Sequence, residues 1–197
     1  MPQRFVDGDR RRLLPVDAGD QGLVANSDTF SVSTPSDCEI ELSRLFDAPR
    51  ELVFEAMTRP EHIREWWGRL GDGYSVPVCE VDLRVGGKWR FVNRTPKGEE
   101  AEFYGVYREI APPDRLVFTE IFAPFPDAES VVTATYSDEG GRTRLRARCL
   151  YPSKEVRDMV LGTGMEGGAA KSYDRLEEVA RGLAAETSDR SQVHRAR

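Results

Sequence analysis

Residues 38–46 alternate in character. Cys38, Ile40, Leu42 and Arg44 fall on one side and Glu39, Glu41, Ser43 and Leu45 on the other, the period of a half-buried strand. Pro49 then stands where a helix would start, with Glu51 in its first turn. Leu52, Val53, Ala56 and Met57 give that helix one apolar face. Pro60 restarts a second short helix through Trp67, whose Ile63, Trp66 and Trp67 share a face, and Gly68 is placed to end it. From Val76 onward the period becomes two, in six segments: 76–83, 88–95, 99–110, 115–123, 130–137 and 142–150. Turn residues such as Gly86-Gly87, Pro96-Lys97-Gly98 and Glu139-Gly140-Gly141 lie between them. In the last segment Thr143, Leu145, Ala147 and Cys149 alternate with Arg142, Arg144, Arg146 and Arg148, so one face is solvated.

Ser153 can cap a final helix running to about Ala185, with Val156, Val160, Leu176, Val179, Ala180 and Leu183 at helical spacing. Gly162, Gly164, Gly167 and Gly168 interrupt it. Each costs roughly 0.5–1 kcal/mol in a helix interior, so the pattern predicts a kink or two consecutive helices, or backbone brought close to something. The order is strand, two short helices, six antiparallel strands and a long C-terminal helix. That is an α+β arrangement in which one helix covers the apolar face of a sheet of about seven strands. Residues 1–37 show no sustained period and read as a flexible arm, and 186–197 read as a polar tail holding His194. The folded domain is expected at 38–185.

Charge narrows the functions. With 28 basic against 34 acidic residues the chain is net -6, which argues against nucleic acid as a partner. No apolar run reaches the roughly 18–20 residues of a membrane span, and residues 1–9 lack the apolar core of a secretory signal. Cys38, Cys79 and Cys149 are odd in number and far apart, so the expected setting is a reducing cytoplasm.

With these elements in place, the chain resembles the START-like (SRPBCC) superfamily with its helix-grip fold, and within it the homologues of the activator of heat-shock-protein ATPase. The likeness is carried by Phe46-Asp47-Ala48-Pro49-Arg50-Glu51-Leu52-Val53-Phe54 and Pro60-Glu61-His62-Ile63-Arg64-Glu65-Trp66-Trp67-Gly68. It continues in Val85-Gly86-Gly87-Lys88-Trp89-Arg90-Phe91, Gly105-Val106-Tyr107-Arg108-Glu109-Ile110 and Pro112-Pro113-Asp114-Arg115-Leu116-Val117-Phe118-Thr119. It ends in Gly164-Met165-Glu166 with Arg175-Leu176. The resemblance implies a helix-grip fold with a cavity between sheet and C-terminal helix. It also marks a departure, because Ala169 stands where the family commonly places a large aromatic, which predicts extra space there.

Little in the sequence points to catalysis. His62, in the first turn of a short helix, sits in a spacing that implies no acid or nucleophile partner for catalysis. The cysteines alternate with core positions as inert thiols would, and no spacing supports a metal or a cofactor. The informative set is aromatic: Trp66, Trp67, Trp89, Phe91, Phe103, Tyr107, Phe118 and Phe122. Where they are not plain core they would line a cavity for an apolar or aromatic small molecule. Asn93 and Glu120 would be its few polar contacts, and Leu161, Met165 and Ala169 a stripe of the last helix facing it. A buried carboxylate is costly, so Glu120 must find a partner, sit at the mouth, or hold a proton. That makes it the one acid/base candidate. The expectation is thus a binding module without catalysis. A co-chaperone-like interaction domain, with a protein partner or a second copy of the chain, is one alternative. A cyclase or hydrolase acting on a polyketide-like substrate through Glu120 is the other.

Overall fold

Period-two alternation pays off only if every strand finds neighbours, and all eight do. The computed structural model describes residues 29–195, with side chains through 187. The strands are β1 (Phe30–Ser33), β2 (Glu39–Phe46), β3 (Ser75–Val81), β4 (Lys88–Arg94), β5 (Glu100–Ala111), β6 (Arg115–Phe122), β7 (Ser130–Asp138) and β8 (Thr143–Leu150). They form one open antiparallel sheet in the order β1-β2-β8-β7-β6-β5-β4-β3. The helices are α1 (Arg50–Thr58), α2 (Pro60–Trp66), α3 (Lys154–Leu161) and α4 (Met165–Arg195). This is the helix-grip α+β fold.

Residues 1–28 of the expected arm and 196–197 of the expected tail lie outside the described residues, and the described parts of both stretches carry elements of the fold. Phe30–Ser33, within the stretch read as an arm, pairs with β2 in register Phe30 to Arg44 and makes the sheet eight strands wide. Phe30 is buried and meets Tyr173 of α4 edge-on at 5.9 Å. At the other end α4 continues through Arg195, into the stretch read as a polar tail.

The core lies between the inner sheet face and α1, α2 and α4. Tyr173, Leu176 and Ala180 bury one stripe of α4, and Phe46 meets Tyr173 edge-on at 5.9 Å. Thr143, fully buried, donates its hydroxyl to the Ala48 carbonyl at 2.6 Å and ties β8 to the turn before α1. The solvated face of β8 is knitted by ion pairs, Arg148 with Glu41 and Arg144 with Glu139. Ser153 caps α3 by accepting from the Val156 amide. The break between α3 and α4 falls at 162–164, and Gly164 with φ +72° is the residue that requires no side chain. Gly167 and Gly168 lie inside α4, where an added Cβ would meet nothing within 4 Å at 167 and only Leu70 at 3.9 Å at 168. No close backbone approach explains them. No helix among the described residues is long and apolar enough to cross a membrane.

Candidate functional site

Strand β6 presents Leu116, Phe118, Glu120 and Phe122 at alternate positions, and β5 presents Phe103 opposite Phe122. These two rings stack with centroids 4.9 Å apart, and Phe125 in the following loop meets Phe122 at 5.9 Å. Beyond them opens a cavity of about 260 Å³. Its sheet side is Phe103, Glu120, Phe122 and Ser130, the loop adds Phe125 and Ala128, and Tyr151 closes it behind β8. The helical side is Met159 and Val160 of α3, Thr163 of the glycine break and Met165 at the start of α4. The glycine break thus stands at the cavity wall, with lining residues in it and on both sides of it.

Glu120 is the one ionisable carboxyl of this lining. It is half-buried, and among the described residues its carboxyl has no hydrogen bond or ion pair; Ser130 donates only to its main-chain oxygen, at 3.3 Å. Burial pushes the carboxyl from the ordinary range up to about 7, because the apolar wall solvates an anion poorly. Its charge in turn acts on neighbours from other elements. It adds to the burial that drives the Cys149 thiol up to about 12, and it raises the Tyr151 and Tyr173 hydroxyls. Among the described residues no cationic side chain offsets it. Chemically, the site can hold an apolar body and offer it one carboxyl group that changes charge near neutral pH.

Of the residues singled out in the sequence, this lining brings together Phe103, Glu120, Phe122 and Met165. Trp67 heads a neighbouring cluster, edge-on to Trp66 at 5.5 Å, Phe91 at 5.2 Å and Trp89 at 6.3 Å, and it touches Phe103 at 6.1 Å. Phe103 therefore belongs to both groups. Trp66 and Trp89 spend their indole N–H groups on the carbonyls of Ala56 and Thr119. Tyr107 and Phe118 meet at 6.3 Å in the core. Asn93 sits under Gly68, and its buried Oδ1, like the Trp67 Nε1, has no partner among the described residues. Leu161 is half-buried on α3, outside the lining, and Ala169 packs against the core rather than lining the cavity. Sequence reasoning missed Phe125, Ala128, Ser130, Tyr151, Met159, Val160 and Thr163. Parity does flag Tyr151, two residues past inward-facing Cys149; the loop residues carry no periodic signal.

Elsewhere, His62 lies 3.8 Å from Glu55, Cys79 and Cys149 are buried, and Cys38 is partly so. No group of three or more His, Cys, Asp or Glu among the described residues is placed to hold a metal ion.

Comparison with known proteins adds a lineage. A sequence model for the family described as Activator of Hsp90 ATPase homolog 1-like protein matches residues 47–181. Among solved structures, a protein from Rhodobacter sphaeroides is similar at 27% identity and a TM-score of 0.69, over 79% of this chain and 98% of that one. One from Nitrosomonas europaea gives 22% identity and 0.67, over 77% and 99%. An AHSA1-like protein from Aeromonas hydrophila gives 18% and 0.56, over 73% and 94%. No curated protein matches.

Proposed function

Because the chain belongs to the family of Activator of Hsp90 ATPase homolog 1-like proteins, we propose that, of the ligand-binding and activator-like roles this membership supports, it performs the first: it takes up an apolar or aromatic small molecule in the cavity over β6. The observation that carries this reading is a preformed hollow of about 260 Å³ with aromatic and aliphatic walls and a single carboxyl. Apolar pockets with few polar groups are where small molecules gain most from leaving water. A domain acting only through its surface has no use for such a hollow. Three free cysteines suit a reducing cytoplasm as the place where it works.

The test is a panel of flat aromatic compounds followed by thermal shift and tryptophan fluorescence. Ligands seated against Phe103 are expected to change the emission of Trp67, its ring neighbour. Phe122→Asp is expected to abolish the response while the fold survives. A diverse panel with neither shift nor quenching overturns the reading.

A second reading draws on Glu120 itself. A carboxyl held near 7 inside an apolar cavity has the proton affinity of a general acid or base. Turnover of a bound compound that is lost in Glu120→Gln, with binding retained, is the result that favours catalysis.

A further inference from the structure

Resting on the binding reading above, the geometry of the cavity points to the chemical class of its ligand: we infer that it is an apolar molecule carrying one basic nitrogen, held as a cation against Glu120. The cavity offers one carboxyl and no cation to neutralise it, and no described donor hydrogen-bonds that carboxyl. Four rings, Phe103, Phe122, Phe125 and Tyr151, share the same lining. Ring faces carry negative potential and attract ammonium groups, most strongly where water is excluded. An unpaired carboxylate in such a place is costly, and an opposite charge brought in by a ligand removes that cost. An anionic ligand meets the reverse situation, since no lysine or arginine belongs to the lining. A neutral ligand gains the rings and at most a hydrogen bond, without cancelling the carboxylate's charge.

The inference has a proton signature. The titratable groups that face Glu120 are Cys149 of β8, Tyr151 after it and Tyr173 of α4, all raised well above neutrality. The hydroxyls of Ser130 and Thr163 complete the polar lining and do not titrate. Within the cavity, Glu120 is therefore the group whose charge changes between pH 5.5 and 8.5. Amine affinity should rise about tenfold per pH unit below its pKa and level off above it.

The experiment uses the full chain and three matched probes: 2-(2-naphthyl)ethylamine, 2-(2-naphthyl)ethanol and 3-(2-naphthyl)propanoate. Affinities are read by calorimetry at several pH values. At pH 8 the amine is expected to bind at least tenfold tighter than the alcohol, and the propanoate weakest. In Glu120→Gln that preference should vanish while the alcohol keeps its affinity within about twofold. Should that variant fold poorly, the pH profile of the unaltered protein decides alone. Equal binding of amine and alcohol with no pH dependence, or an amine preference that survives Glu120→Gln, overturns the inference and leaves the cavity reading standing. If none of the three binds at millimolar concentration, both fall.

Discussion

Trp89 on β4 and Thr119 on β6 are joined across the strand that lies between them. The indole N–H of Trp89 donates to the main-chain oxygen of Thr119 at 3.2 Å, passing over Gly105 of β5. The β5–β6 ladder pairs Tyr104 with Ile121 and resumes with Tyr107 and Phe118. In the gap the Val106 amide turns to the Thr119 side-chain oxygen, at 3.1 Å. A side chain thus replaces a rung of the ladder, one residue from Glu120. The carboxyl at the cavity wall is held by a locally remodelled sheet.

Gly105 is what makes this possible, since a Cβ there would stand 1.7 Å from the Thr119 oxygen and 2.8 Å from the Trp89 nitrogen. Both neighbours belong to buried residues with no room to give. Gly105→Ala is expected to cost about 2–4 kcal/mol, read as a lower midpoint in urea at unchanged slope.

The first strand is expected to matter to the fold. Phe30 is 3% exposed and packs on Tyr173. Phe30→Ala should therefore destabilise by about 3 kcal/mol or more, as for other buried aromatics cut to alanine. A change below about 0.5 kcal/mol in chemical denaturation would show that β1 adds nothing.

The glycines of the helical break should separate by conformation. Gly167→Ala and Gly168→Ala meet no obstruction within α4 and should each stabilise by about 0.5–1 kcal/mol. Gly164→Ala must adopt φ near +72° and should cost about 1–2 kcal/mol. Melting temperatures of the three variants give the order directly.

Ala169 packs against the core rather than lining the cavity, so the space expected from its small side chain is not in that lining. Ala169→Trp should force strain of roughly 1–3 kcal/mol and leave ligand affinity in the cavity over β6 largely unaltered. Stabilisation of this variant by thermal denaturation would contradict the placement.

Stability should also depend on pH through Glu120. Its proton is held more tightly in the folded chain, where the carboxyl is pushed up to about 7 from an ordinary 4.5. Such a group favours the fold while pH lies below the unfolded value, and the advantage drains away as pH climbs through about 7. Glutamine mimics the neutral acid at every pH. Glu120→Gln and the parent protein should therefore differ little near pH 4.5, whereas near pH 8.5 the variant should gain on the order of 2–3 kcal/mol. Parallel melting curves across that range check it.

Much of this architecture is legible in the sequence because most strands are long enough to show their period. Arg142 through Leu150 alternates for a full strand, and β8 covers 143–150. β1 has only Phe30 and Val32 as apolar residues, too few for a period, and its placement comes from pairing with β2. The continuation of α4 past Ala185 has no apolar stripe to announce it. In the site, parity on β5 and β6 points Phe103, Glu120 and Phe122 inward together. Phe125, Val160 and Thr163 reach the cavity through a loop and a helix break, whose geometry depends on tertiary packing rather than on local spacing.

The strand order sets a timetable for making the molecule. β2 is an early segment, yet its inner neighbour is β8, and the bridging residues Glu41 and Arg148 are 107 positions apart. Until the ribosome has delivered Leu150, the inner edge of β2 has nothing to pair with, and until α4 follows, the apolar sheet face stays open. Contacts of such long range form slowly, and the species that waits for them exposes strand edges able to pair between chains. Refolding is therefore expected to be a late, collective event whose yield drops as chains are brought closer together.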